Sequence, residues 1–118
     1  MIYTGTVILE SLHDESVLNF ADNVVREHAQ IIDALPDQPA SVTIATFTVK
    51  DEMAPAIVDE LSRLLKAGHW YADIRNEYDI FVIFPGKVFH FLPKEVEKRA
   101  KAFEYAKTLN IPESQIDF

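Results

Sequence analysis

Two apolar runs, Asp79 to Phe84 and Lys87 to Phe91, meet at Pro85-Gly86, and this dipeptide constrains the fold more than any other feature. Proline presets φ near about −65° at the first central position of a turn, and glycine accepts a positive φ at the second, which suits a type II turn. A two-residue loop here pairs Phe84 with Lys87, Val82 with Phe89 and Ile80 with Phe91 on one face of a sheet. On the other face it pairs Ile83 with Val88 and Phe81 with His90. Upstream, Trp70 to Arg75 reads as a further strand, joined through Asn76-Glu77-Tyr78. Taken as a three-residue loop, that connection sets Arg75 opposite Asp79, Asp73 opposite Phe81 and Tyr71 opposite Ile83. One face then gathers Trp70, Ala72 and Ile74 with Ile80, Val82 and Phe84. The second face gathers Tyr71, Asp73, Arg75, Asp79 and His90 around Phe81, Ile83 and Val88. A two-residue loop would shift the assignment by one and mix the two sets.

The rest of the chain supplies partners for this meander. Ile2 to Glu10 reads as a strand, rich in Tyr, Thr, Val and Ile. Val17, Phe20, Ala21, Val24, Val25, Ile31, Ile32 and Leu35 fall at helical spacing, which predicts a helix behind a cap at Asp14 or Ser16. Pro36-Asp37-Gln38-Pro39 ends it. Ala40 to Val49 is β-branched and reads as a strand. Asp51 caps a second expected helix, with Pro55 in its first turn, Ile57, Leu61, Leu64 and Leu65 as its buried stripe and Gly68 at its end. Pro93 opens a third, ended by Asn110, and Ile111 to Phe118 is a tail with apolar anchors.

The expected order is β-α-β-α-β-β-β-α in a single α+β domain over residues 1–118. Its natural arrangement is a two-layer sandwich with a mixed or antiparallel sheet, and a ferredoxin-like plait with an added hairpin is the leading candidate.

Composition excludes several function classes. Without cysteine the chain has no disulfide, no thiolate metal ligand and no thiol nucleophile. No apolar run approaches the roughly 20 residues of a spanning helix, and no basic stretch precedes an apolar one at the N-terminus, so the protein reads as cytoplasmic and independent of membranes. The formal net charge is −8, and all of it lies in residues 1–93, which hold 14 Asp/Glu against 6 Lys/Arg. Such a body repels phosphate backbones, which argues against nucleic acid as a partner. The only glycines, Gly5, Gly68 and Gly86, form no phosphate-cradling loop, and no nucleophile elbow is present. His13, His28, His69 and His90 make no HxxxH or HxH pair. His69 and Asp73, four apart on a strand, would lie about 13 Å apart. No metal or cofactor is therefore expected.

Three stretches, Trp70-Tyr71-Ala72-Asp73-Ile74-Arg75-Asn76, Phe84-Pro85-Gly86-Lys87-Val88-Phe89 and the ending Ile111-Pro112-Glu113-Ser114-Gln115-Ile116-Asp117-Phe118, resemble a family of small uncharacterised prokaryotic proteins of about this length. The resemblance covers most of the chain. It implies a stand-alone domain and, because that family carries no assigned activity, no catalytic residues.

The mixed face of the meander admits three explanations: a second subunit covers it, a small ligand binds it, or one of the protein's own helices lies over it. On the first, the protein is a non-enzymatic binding or regulatory domain acting as a homodimer. The alternative is a small enzyme for a polar or anionic metabolite, with Tyr71, Asp73, Arg75 and His90 as its site. Arg75 would then hold an anionic group while His90 or Asp73 moves protons. His28 falls within the apolar stripe of the first expected helix, where a boundary histidine with one nitrogen satisfied is the simpler reading than a catalytic one. The adjacent carboxylates Asp51-Glu52 and Asp59-Glu60 point in different directions on a helix and read as cap and surface.

Overall fold

In a computed structural model, which describes residues 2–118, the Pro85-Gly86 hairpin adopts the expected register, from Phe84 opposite Lys87 to Ile80 opposite Phe91. Gly86 takes φ of 71°. Among the described residues there are six strands: β1 (Ile2–Ile8), β2 (Asp22–Gln30), β3 (Ser41–Lys50), β4 (Ala72–Arg75), β5 (Ile80–Phe84) and β6 (Lys87–Phe91). Two helices, α1 (Ala54–Leu64) and α2 (Val96–Thr108), complete the α+β architecture. The strands form one sheet in the order β2-β3-β1-β4-β5-β6, with every neighbouring pair antiparallel. Since β3 and β4 both run against β1, they are parallel to each other, and α1 is a crossover that bridges them past β1.

The helix expected from Val17 to Leu35 does not form. Ser16–Phe20 makes one 3-10 turn, and Asp22–Gln30 is an edge strand on β3. The helical spacing of apolar residues there is not a burial pattern: Phe20, Val25 and Ile32 are exposed, Val17 and Leu18 are buried in the core, and Ala21 and Val24 pack against it only in part. A nine-residue stretch with an exposed apolar stripe gains nothing from being helical, whereas the long β-branched β3 offers it a full ladder. Asn23, at φ 52°, sits in a bulge that delays the pairing, and its side-chain amide donates to Thr48 Oγ1 at 2.9 Å. His28 accordingly lies exposed on the edge strand opposite Thr43, not on an apolar helix face. With that helix absent, one crossover replaces the two expected, and the ferredoxin-like plait is not the arrangement found.

Strand alternation divides the core in two. Tyr3, Val7, Phe47, Ile74 and Ile83 pack on one face with Ile57, Val58 and Leu61 of α1. Ile80, Val82, Phe84 and Phe91 pack on the other with Ala102 and Ala106 of α2 and with Ile111 of the tail. The layering is helix, sheet, helix, rather than a two-layer sandwich. Helix α1 is fastened to the hairpin: the Gly86 N–H donates to Ser62 O at 3.0 Å, and Ser62 Oγ donates to Phe84 O at 3.1 Å. Its first turn holds Pro55 as expected, but its N-cap is Met53, after a 3-10 turn at Asp51–Met53. Helix α2 covers only β5 and β6, so the same face of β1, β3 and β2 is left open, with Thr4, Thr6 and Thr46 exposed on it.

Gly5 lies at the centre of β1, opposite Phe47 on β3 and Ile74 on β4. A Cβ at Gly5 would clash with the ring edge of Phe47, a buried side chain. Gly5→Ala should therefore lower stability by about 1–3 kcal/mol, the usual range for overpacking a filled core. Chemical denaturation measures it, and a variant as stable as the parent would show that Phe47 is free to move.

Candidate functional site

The first loop of the meander decides which side chains meet. The Asn76 N–H donates to Asp79 O at 2.9 Å, and Asn76 Oδ1 accepts the N–H groups of Tyr78 and Asp79, both at 2.8 Å. Asp79 is thereby drawn into the loop, which spans four residues, and Arg75 pairs with Ile80 rather than Asp79. Ile74 opposes Phe81 and Asp73 opposes Val82. The expected register is thus off by one, and the two residue sets are mixed. Tyr71, Asp73 and Arg75 keep their shared parity and lie on the α2 face. His90, paired with Phe81, lies on the α1 face. The four-residue constellation of Tyr71, Asp73, Arg75 and His90 does not exist as one site.

His90 has its own surroundings. Its ring stacks on Phe81 at a centroid distance of 4.2 Å, and Nε2 lies 2.8 Å from Asp79 Oδ1. Tyr3 donates its hydroxyl to Asp79 Oδ2 at 3.2 Å, and its pKa is raised, chiefly by burial and then by that carboxylate. Of the three explanations for the mixed face, the protein's own helix accounts for this side: α1 packs over Phe81, Ile83 and Val88, and the charges stand at the rim.

The remaining three residues meet the C-terminal tail. Asp73 is buried between Ala72 and Ile74 and forms an ion pair with Arg75, whose guanidinium also donates to Asp117 O at 3.1 Å. Tyr71 donates its hydroxyl to Gln115 O at 2.9 Å and accepts the Asp117 N–H at 2.8 Å. Burial pushes its pKa up to about 12. The tail is clasped a second time at the loop between β2 and β3. Gln115 and Gln38 exchange amide hydrogen bonds of 3.0 and 3.1 Å, and Gln115 Nε2 also reaches Ile32 O at 2.9 Å. Below them, His69 Nδ1 lies 2.6 Å from Leu109 O and Nε2 lies 3.0 Å from Asp37 Oδ2, so both ring nitrogens face acceptors.

Between this clasp and the open sheet face is a hollow of about 350 Å³, within the size range of small-molecule sites. Ile8, Val42 and Ile44 form its apolar floor, Ile31 one wall and Trp70 part of another. Thr6, Asp73 and Asp117 border both this hollow and a neighbouring one that contains Arg75. Thr6 is the register partner of Asp73 across the β1–β4 pair. Thr6, Gln115 and Asp117 belong to the site but gave no local signal in the sequence, since their contacts to β4 and to the β2–β3 loop cross at least forty residues. Among the described residues no group of three or more His, Asp or Glu side chains could hold a metal ion. Among the same described residues no helix is long and apolar enough to cross a membrane.

Comparisons with protein-family models, with curated proteins and with solved structures each find no match.

Burial raises the Asp73 carboxyl above its ordinary value, and Arg75 offsets only part of the effect. A carboxyl whose folded pKa is raised contributes stability below the ordinary carboxylate range, and that contribution is lost as pH rises through the folded value. Asp73→Asn keeps the shape without the charge, so it should gain on the parent in Tm between about pH 4 and pH 7. A difference in Tm that stays flat over that window, or moves against the variant, would show that the Asp73 pKa is not raised.

Proposed function

We propose that the protein is a non-enzymatic binding domain whose ligand occupies the hollow beneath the tail clasp. The observation that carries this reading is how the hollow is built: an apolar floor on β1 and β3, a few polar groups at one end, and a roof of tail and loop fixed by the Gln38–Gln115 amide pair. Pockets of this kind, mostly apolar with a small number of placed polar groups, are where proteins hold small molecules. The enzyme alternative is weakened because its acid–base pair is divided between the two faces of the sheet. The surviving dyad of His90 and Asp79 borders neither hollow.

The domain acts as a homodimer in this reading, but not through the meander, whose face α1 already covers. The supporting feature is β2, a nine-residue edge strand that carries Val25 and is flanked by Phe20 and Ile32; the three are 50%, 61% and 64% exposed. An unpaired edge with apolar neighbours is a template for a second chain.

Two measurements test the pair of claims. Binding in the hollow should move the backbone amide resonances of Thr6, Ile8 and Ile44 when a metabolite library is screened by NMR, while those of Lys87 to Phe91 stay in place. Hits that perturb His90 and Phe81 instead would move the site to the other face. Light scattering at micromolar protein should give a mass near twice 13.4 kDa. The double variant Phe20→Asp, Val25→Lys should then be monomeric, and because both side chains are exposed, its stability should change by roughly 0.5 kcal/mol or less. A monodisperse monomer of the parent at high concentration rejects the dimer.

A further inference from the structure

We propose that the hollow takes a small amphiphile with a protonated amine, its apolar part on Ile8, Ile44 and Ile31 and its ammonium group at Asp73 and Asp117. This rests on the hollow being the binding site and adds the chemical class of what it binds. The titratable side chains that bear on charge at the hollow are His69, Asp73 and Asp117. The His69 ring is engaged on both nitrogens, by Leu109 O and by Asp37. Arg75 borders the neighbouring hollow, not this one, and its guanidinium is already engaged by the Asp73 carboxylate and by Asp117 O. No cation is therefore available to receive a ligand anion, which would instead meet two carboxylates.

Other donors at the tail are engaged within the protein as well. The Tyr71 hydroxyl serves Gln115 O, Ser114 Oγ donates to Asp33 at 2.7 Å, and the Gln115 amide serves Ile32 O. What the polar end offers is acceptor capacity: the Asp73 carboxylate, paired with Arg75, and the Asp117 carboxylate, which Arg75 does not engage because it binds the Asp117 backbone oxygen, beside the Thr6 hydroxyl. An ammonium group brings three donors and one positive charge, and it balances that end. The apolar floor fits the remainder of such a molecule, and the body charge of −8 favours the approach of cations over anions.

The test uses three matched probes at neutral pH, 2-phenylethylamine, 2-phenylethanol and phenylacetate, each titrated at millimolar concentration and followed by the amides of Thr6, Ile8 and Ile44. The amine should bind about tenfold or more tightly than the alcohol, as expected for a hydrogen bond to a charged group, and phenylacetate should be the weakest. Asp117→Asn should bring the amine down to the affinity of the alcohol. It leaves the clasp in place, because the bonds of Asp117 to Tyr71 and Arg75 come from its backbone. Equal affinities for amine and alcohol, or a preference for phenylacetate, overturn the cation assignment while the hollow stands as a binding site. An Asp117→Asn variant that keeps the preference for the amine overturns it too. No response at these amides to any of the three probes overturns both the assignment and the binding site.

Discussion

The rest of the structure is built on β1, where Gly5 lets the buried Phe47 ring of β3 lie directly against the backbone. Strands β2 and β3 form one half of the sheet and β4, β5 and β6 the other, and β1 alone joins them. Pairing β1 with β4 brings together residues separated by most of the chain, a costly closure that has to be repaid by packing. The Phe47 ring lies over Gly5, the position midway between the two halves, and Ile74 stands on the other side of it. That register then fixes the site. With Gly5 opposite Ile74, Thr6 falls opposite Asp73, and the hydroxyl and the carboxylate come to the same end of the hollow.

The two faces of the sheet are completed by different physics. On the α1 side an amphipathic helix lays its apolar stripe on a continuous core, which includes Leu61 and Ile83 at full burial. On the α2 side helical cover stops at β5 and β6, and the chain continues over β4 as a tail with one 3-10 turn at Glu113–Gln115. That turn satisfies the N–H groups of Gln115 and Ile116 on Pro112 O and Glu113 O and leaves other backbone groups to be met elsewhere. Here the side chains of Tyr71, Gln115, Gln38 and Arg75 meet such groups, one residue often serving two partners. Each such bond contributes about 1 kcal/mol net, but leaving a buried partner unsatisfied costs about 1–3 kcal/mol, so the clasp holds as a unit or opens as one. The hollow lies under that unit, whose apolar anchors are Ile111, Ile116 and Phe118 in the core beneath α2.

How far the sequence could be read depends on whether the deciding contacts were local. The Pro85-Gly86 turn is a two-residue event, and every pair of the β5–β6 ladder followed from it. The stripe of Ile57, Leu61 and Leu64 identified α1 because those positions are in fact buried. The segment from Val17 to Leu35 had the same spacing without the burial, and its strand is chosen by a partner, β3, that periodicity does not consult. At the site, parity alone correctly placed Tyr71, Asp73 and Arg75 together. His90 was misplaced because Asn76 closes a loop one residue longer than assumed. An Asn at that position signals a turn but does not count its residues.

Asp73 stands out as the position where local rules are not followed. Its cross-strand partner Val82 is wholly buried, and so are its sequence neighbours Ala72 and Ile74, so an apolar residue would fit the surroundings. A buried ion pair rarely outperforms well-packed apolar side chains, because removing both charges from water offsets much of their attraction. Arg75 does not fully compensate for that cost, since burial still leaves the Asp73 carboxyl raised. Stability therefore does not account for a carboxylate at this point. The binding reading proposed above would account for it: Asp73 lines the hollow beside Thr6 and Asp117. In chains whose local preferences otherwise agree with the fold, such departures are where binding groups are found.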